Sequence, residues 1–492
     1  MAASTPRPDE GDSSGSGFLR NSLLMFGGAA GSQLLTFLVM PLLTRLFPPE
    51  AIGVHALVVS ASAALVVVAT LRLDLALVLP EDDGVAARLW WLGFYQGVAT
   101  SFVVVLVALV AGGWVTASLA PEVSSSAWVW LLAPMVLAAV VTQMGTGLAT
   151  RRGKFHLVVA SNLTIAGVFA LVALLIGYLD PVDTGVVVAR VVAVVAGCLV
   201  FLALVAACSR PGASWRPRDL DPRRLWRDQR QFLVFNTPYS LVGSLTRDLP
   251  LYVFAIGGGA ALTASYALAR TITQAPTSLV SAALSSVFYR EAALHLGTPR
   301  LKTLALTLSR WGLVLTMPGF AFVAVWGDEL FALVFGQTWR TAGDFARLLA
   351  VPLWLALQNG WPQRLYEATG RQRISFTIQM CFDALHAVVV IGVYAGTGSA
   401  MLAVAAYAVT YSAFHVTYLV TVFGIAGFGH RELWRVGAAA VLGFAVVAAL
   451  LGGVRWWSPL GTTVGFVLAA AAVVVLTAGL ALVLRGRQRA MP

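Results

Sequence analysis

Val186-Val187-Val188-Ala189-Arg190-Val191-Val192-Ala193-Val194-Val195-Ala196-Gly197-Cys198-Leu199-Val200-Phe201-Leu202-Ala203-Leu204-Val205-Ala206-Ala207 is apolar throughout except for one charge, Arg190. A helix needs about 20 predominantly apolar residues to cross the hydrocarbon layer of a bilayer, and this stretch suffices. Its apolar residues are continuous rather than alternating. That selects a helix over a barrel strand, because a spanning backbone must satisfy its own hydrogen bonds. Comparable runs lie at 22–44, 54–79, 89–111, 127–149, 157–179, 231–256, 262–289, 304–326, 343–363, 374–395, 398–424, 436–454 and 462–484. The 492-residue chain is 59% hydrophobic and 11% charged, against roughly 45–50% and about 25% for a soluble domain. The reading is an all-α polytopic membrane protein with about 14 transmembrane helices.

Basic residues orient these spans. With a cytoplasmic amino terminus, the outer gaps hold only Arg45, Arg340 and Arg455, and Arg72, Arg190, Arg247, Arg270, Arg310 and Arg347 fall within spans. The other Lys and Arg lie in inner segments, as the positive-inside rule requires, so both termini are expected in the cytoplasm. The formal charge of +11 then reflects loops that meet anionic membrane lipids, and nucleic acid is not an expected partner. Residues 1–17 are rich in Ser, Gly, Asp and Pro and read as a disordered cytoplasmic tail.

Catalytic and metal signatures are absent or out of context. Gly11-Asp12-Ser13-Ser14-Gly15 fits a nucleophile-elbow spacing but sits in the polar tail, without the strand-to-helix turn that strains such a serine. Cys198, Cys208 and Cys381 have no metal-ligand spacing. No phosphate-cradling loop or helical zinc pair occurs. No enzyme activity, metal or cofactor is expected.

The chain contains a weak repeat. Met40-Pro41-Leu42-Leu43 followed by His55-Ala56-Leu57 parallels Leu249-Pro250-Leu251-Tyr252 followed by Tyr266-Ala267-Leu268. Six spans separate the two, so the halves are parallel, an arrangement that transporters use with the substrate route between them. The expected division is a six-helix bundle over 18–207, a basic linker over 208–230, a second bundle over 231–424 and two further helices with a basic tail over 425–492. In the linker, Asp221-Pro222 reads as a helix start, and Leu220, Leu225 and Trp226 beside seven arginines suggest an interfacial helix.

Several stretches carry a family resemblance: Pro41-Leu42-Leu43-Thr44-Arg45-Leu46-Phe47, Leu71-Arg72-Leu73-Asp74-Leu75-Ala76-Leu77-Val78-Leu79-Pro80-Glu81-Asp82-Asp83, Leu249-Pro250 through Tyr266-Ala267-Leu268-Ala269-Arg270 to Val287-Phe288-Tyr289, and Phe335-Gly336-Gln337-Thr338-Trp339-Arg340-Thr341-Ala342-Gly343. Over its first twelve spans the chain resembles the bacterial oligosaccharide flippases, including the Wzx-type O-antigen transporters. These belong to the superfamily that also holds multidrug extruders and the peptidoglycan-precursor flippase. The resemblance implies two pseudo-symmetric six-helix bundles around a central cavity, plus two carboxyl-terminal helices. The implied cargo is an oligosaccharide linked through pyrophosphate to undecaprenol and turned to the outer leaflet of the bacterial plasma membrane. Glycosyltransferases and a polysaccharide polymerase are the partners such a role implies.

Buried charge agrees with that cargo. An ionisable side chain at the bilayer centre costs about 2.5–3.5 kcal/mol on insertion scales, so it faces the protein interior or water. The span limits put Arg247 and Arg270 level, roughly 12–14 Å beneath the outer surface, and Arg72 roughly 10 Å from the cytoplasm. These three arginines are the expected pyrophosphate-binding residues, since a guanidinium binds phosphate through paired, charge-assisted hydrogen bonds and stays protonated. The competing reading has Arg72 snorkel near its helix end or pair with Asp74, and Asp248 neutralise Arg270. Arg190, Arg310 and Arg347 lie near span ends, where snorkelling to the interface is expected. Asp74, Asp248, Asp383 and His386 are candidates for carrying protons, although Asp383 and His386, one turn apart, read better as a mutually satisfied pair. Export of two negative charges is itself favoured by about 4.6 kcal/mol at roughly 100 mV, twice the ~2.3 kcal/mol per charge.

Polar residues in spans, among them Gln33, Gln143, Asn162, Asn236, Gln274, Gln358, Asn359 and Gln379, suit a sugar path or interhelical hydrogen bonds equally. Gly27 with Gly31 and Gly93 with Gly97 have the spacing of close helix packing. Pro250, Pro276 and Pro318 are expected to bend their spans. Trp456-Trp457 beside Arg455 reads as an outer interfacial anchor. Two other functions compete: a multidrug or small-molecule exporter, whose cavity is more often acidic, and a membrane glycosyltransferase or polymerase, which would carry a large acidic outer loop.

Overall fold

The computed structural model describes residues 10–78, 80, 82–123, 125–208, 234, 236–296, 298–358, 360–457 and 462–489. The expected linker helix around Asp221-Pro222, the residue Asn359 and the first nine residues lie outside them. Among the described residues, regular structure is entirely helical. The elements are α1 (Glu10–Leu46), α2 (Pro49–Thr70), α3 (Leu73–Ala76), α4 (Asp83–Leu119), α5 (Ala127–Arg151), α6 (Phe155–Leu179), α7 (Gly185–Cys208), α8 (Thr237–Arg247), α9 (Leu249–His295), α10 (Pro299–Phe335), α11 (Arg340–Ala356), α12 (Gln363–Ala368), α13 (Gln372–Thr397), α14 (Ala400–Ile425), α15 (Arg431–Trp457) and α16 (Thr462–Arg489). Helix α1 begins inside the stretch expected as an unstructured tail.

Twelve of these helices are long and apolar enough to cross a membrane. The expected number of about 14 is approximate, because α9 is itself two helical limbs joined across a kink and two expected spans are divided differently. The expected spans 231–256 and 262–289 are re-divided: a break at Asp248 separates α8 from α9, and α9 runs on through a bend at Gly259 (φ 76°, ψ −175°). The expected span 343–363 is split into the 17-residue α11 and the short α12. Span 54–79 is also interrupted, because Leu71 (φ 49°) and Arg72 (φ 56°) are left-handed and separate α2 from α3.

The chain divides into two compact units, Met1–Leu245 and Thr246–Pro492. In the first, Leu73, Leu77, Leu89, Val136, Val140 and Met144 form a core between α3, α4 and α5. Small residues set the helix separation there. A Cβ on Gly93 would lie 2.6 Å from Met144, and one on Gly97 would lie 2.7 Å from Val140. Along α1 the close approach falls at Gly28, whose Cβ would meet Val159 at 2.5 Å, while Gly27 has nothing within 4 Å.

In the second unit, Phe322 and Trp326 of α10 pack with Leu451 of α15 and with Ala469 and Phe466 of α16, which seats the last two helices. Pro250 lies at the first turn of α9, where a missing N–H is harmless, so it starts that helix, whereas Pro276 and Pro318 are interior.

The outer surfaces are apolar. Val110 is 89% exposed and Trp456 83% exposed, the inverse of a soluble protein and what acyl chains require. Many hydroxyls are satisfied within their own helices, as with Ser32 donating to Gly28 O and Thr36 to Ser32 O, both at 2.9 Å. Others tie helices together: Ser161 donates to Gly197 O, Thr277 to Leu353 O, and Trp354 Nε1 to Leu313 O, each at 3.0 Å. Such bonds remove polar groups from lipid and fix helix register. The chain is a multi-pass membrane protein.

Candidate functional site

In the first unit, the left-handed pair Leu71-Arg72 breaks the helix and turns Arg72 out of the spiral. Each non-glycine residue held there costs about 1–2 kcal/mol. The break is supported locally by Leu71 N–H donating to Val67 O at 3.1 Å and Arg72 N–H to the Thr70 hydroxyl at 3.4 Å. Its far side is supported by close packing, since Gly147 of α5 lies so near that a Cβ would stand 2.6 Å from Asp74 O. Arg72 Nη1 is 3.9 Å from Asp74 Oδ2, and Gln143 Nε2 donates to that same oxygen at 2.9 Å. Gln143 is therefore an interhelical tie.

In the second unit, Arg247 and Arg270 come together. Arg270 Nη1 donates to Asp248 Oδ1 at 2.7 Å, and Arg247 Nε lies 3.9 Å from the same oxygen. Arg247 is 59% exposed and Arg270 18% exposed. Both line a cavity of about 40 Å³ with Tyr266, Gln274, Leu349, Leu353, Tyr407 and Tyr411. That volume admits a few waters. Tyr407 and Tyr411 stack with centroids 5.2 Å apart, and the Tyr266 hydroxyl is buried without a partner. Aromatic walls and cations around a wet space suit an anionic or hydroxyl-rich solute.

Asp383 and His386 do not form the expected pair. Asp383 Oδ2 and His386 Nε2 are both buried without a hydrogen bond. Instead, the His386 ring packs edge-on against Tyr407 and Tyr411, with centroids 5.1 and 5.7 Å away. Gln358 differs too, with both amide atoms buried and unpartnered.

A third charged group was not legible in the sequence. Arg455 of α15 donates to both carboxylate oxygens of Asp328 on α10, each at 2.7 Å, and also to Val325 O. Arg340 reaches Asp328 at 3.3 Å and Glu329 at 2.9 Å; Arg347 reaches Asp344 at 3.2 Å and Ala324 O at 3.3 Å. Three cations thus meet three acids. Arg455 is a structural tie to α10, and Arg347 is bonded within the protein rather than snorkelling. The available signal was the coincidence of rare outer arginines with the rare outer acids Asp328 and Glu329.

The solved structures with this fold include a lipid II flippase MurJ in an inward closed conformation, with TM-score 0.72, 8% identity, and coverage of 95% of this chain and 99% of that one. A multidrug resistance MATE family transporter of the MOP superfamily, inward-facing, matches with TM-score 0.58, 14% identity and 83% and 95% coverage. A MOP superfamily transporter from Pyrococcus furiosus, described by the reverse polarity of its binding pocket, gives TM-score 0.55, 14% identity and 88% and 96% coverage. No curated protein matches the sequence. The fold is thus that of the MurJ and MATE transporters, as the resemblance implied. The family described as "Polysaccharide biosynthesis protein" matches residues 42–344, more than half of the chain, and the chain belongs to that family.

Proposed function

We propose that the protein is a flippase that moves a polyprenyl-pyrophosphate-linked oligosaccharide from the inner to the outer leaflet of the bacterial plasma membrane by alternating access, for cell-surface polysaccharide assembly such as lipopolysaccharide or exopolysaccharide. Family membership and the transporter fold support the class. The observation that carries the cargo is the pairing of Arg247 and Arg270 on one aromatic-walled cavity. A guanidinium fork matches phosphate oxygens and keeps its charge. Arg72 is proposed as a separate cation for the same headgroup, nearer the cytoplasm. The present cavity is smaller than a diphosphate, so loading requires the cavity to widen, as alternating access supplies.

In this reading Asp248 holds Arg270 in place until an anion competes for it. Asp74 does the same for Arg72, and Asp383 and His386 are the unpaired groups available for proton coupling. Both termini are cytoplasmic, and glycosyltransferases and a polymerase act before and after the flip.

The test is leaflet-specific. Deleting the gene should leave lipid-linked glycan on the cytoplasmic leaflet, and neither the Arg247→Ala nor the Arg270→Ala protein should clear it. Full export by both variants rejects the cargo assignment. Structural likeness to a multidrug transporter favours one other reading, a small-molecule exporter; altered drug resistance with normal glycan export would establish it.

A further inference from the structure

We infer that Arg190, with His55 and Phe169, forms a second oxyanion site in the first unit, one that takes a phosphate-type group. The flippase reading assigns the headgroup to Arg72, Arg247 and Arg270, and this inference goes beyond it.

Three helices build the site. Phe169 of α6 is 4% exposed. The His55 ring from α2 stacks on it at 5.4 Å and 17°, and the Arg190 guanidinium from α7 lies 5.8 Å from its centroid. Arg190 Nε and His55 Nε2 are both buried without a hydrogen bond. The Arg190 residue as a whole is half-buried.

Among the arginines within the expected spans, charge balance sets Arg190 apart. Arg72 has Asp74, Arg247 and Arg270 share Asp248, and Arg347 has Asp344. Arg310 is exposed. Among the described residues Arg190 has neither a carboxylate within ion-pair distance nor a hydrogen-bond acceptor. Its ring contact offsets part of the charge but accepts none of the five N–H donors, which lie in one plane. An oxyanion with two free oxygens satisfies that fork, which a halide cannot do in the same way, and the His55 imidazole, which packs on the same Phe169 ring, can supply one more donor. A phosphate group meets these requirements, whether free in solution or carried on a lipid.

The arginines already assigned to the headgroup would also bind such a group, so the experiment starts from the Arg72→Ala/Arg247→Ala/Arg270→Ala protein in phosphatidylcholine nanodiscs. Inorganic pyrophosphate is added and the melting temperature followed. The expected result is a residual, saturable rise that Arg190→Met weakens at least tenfold in apparent affinity. Arg190→Lys, which keeps the charge but not the fork, falls between. His55→Glu supplies a carboxylate within electrostatic reach of Arg190 and should abolish the rise while the ligand-free melting temperature holds or increases.

A parallel arm replaces pyrophosphate with polyprenyl phosphate in the nanodisc. A rise in either arm that depends on Arg190 supports the site, and the arm that gives it identifies the source. No rise in either arm overturns the inference. So does a rise indifferent to Arg190, or an Arg190→Met protein that melts lower yet binds normally, which would mark a packing role. Because the readout is binding, these outcomes leave the flippase reading standing if the wild-type protein still exports glycan.

Discussion

Asp248 and Arg270 stand eleven residues on either side of Gly259, and they meet in a 2.7 Å ion pair. The bend folds the second limb of α9 back on the first, so equal distances from the turn bring the two charges level, about 16 Å from the bend at 1.5 Å per residue. The pair therefore follows from the position of one glycine.

Removing either member should destabilise the protein. Arg270→Ala leaves Asp248 without its closest cation, and breaking a buried pair costs about 3–5 kcal/mol. Arg247→Ala, at an exposed side chain 3.9 Å away, should cost well under 1 kcal/mol. In a double-mutant cycle, Asp248→Ala/Arg270→Ala should recover part of the loss in melting temperature while export stays absent. Recovery of export in the double variant would show that the pair is only structural.

The bend itself is testable. At φ 76° and ψ −175° a side chain is strained, and Gly259→Ala should cost about 1–3 kcal/mol. Gly453→Ala in α15, where a Cβ would meet nothing within 4 Å, should be neutral or mildly stabilising. Thermal melts of the two variants in one detergent make the comparison.

The Asp328 cluster joins α15 to α10 across 127 residues of sequence. Arg455→Ala should lower stability by about 2–3 kcal/mol, somewhat less than a fully buried pair, because Arg455 keeps 21% exposure. Arg455→Lys should recover little, since a point charge cannot donate to both oxygens. Limited proteolysis should cut first between α14 and α15 in the alanine variant, while the wild type stays intact.

Topology can be read by labelling. In a cysteine-free background, a cysteine at Lys154 should react with an impermeant thiol reagent only from the cytoplasmic side, and one at Tyr178, which is 84% exposed, only from outside. The reverse pattern would invert the charge-based orientation.

The sequence reading reached the helical fold because membrane spans are a one-dimensional signal. Every backbone group must be satisfied within its own helix, so length and apolarity alone mark the segment. It also offered, as the competing reading, the partnership of Arg72 with Asp74 and of Arg270 with Asp248, where the chain is locally continuous or folded back on itself. It missed the tie of Arg455 to Asp328, which lie 127 residues apart, and read Arg190 as a snorkelling side chain, because in neither case does a neighbour nearby in the chain signal the environment. The expected Asp383 and His386 pair failed for a related reason: spacing of one turn permits contact, but aromatic packing from α14 draws the imidazole away.

By itself, then, the sequence determined that the chain is a bundle of long apolar helices and which residues can carry charge among them. Only the tertiary structure decided which charges are cancelled and which are left over. Pairing within a membrane depends on side chains meeting across helices at the same depth and angle, and those angles are set by breaks at Leu71-Arg72, Asp248 and Gly259 that hydropathy does not register.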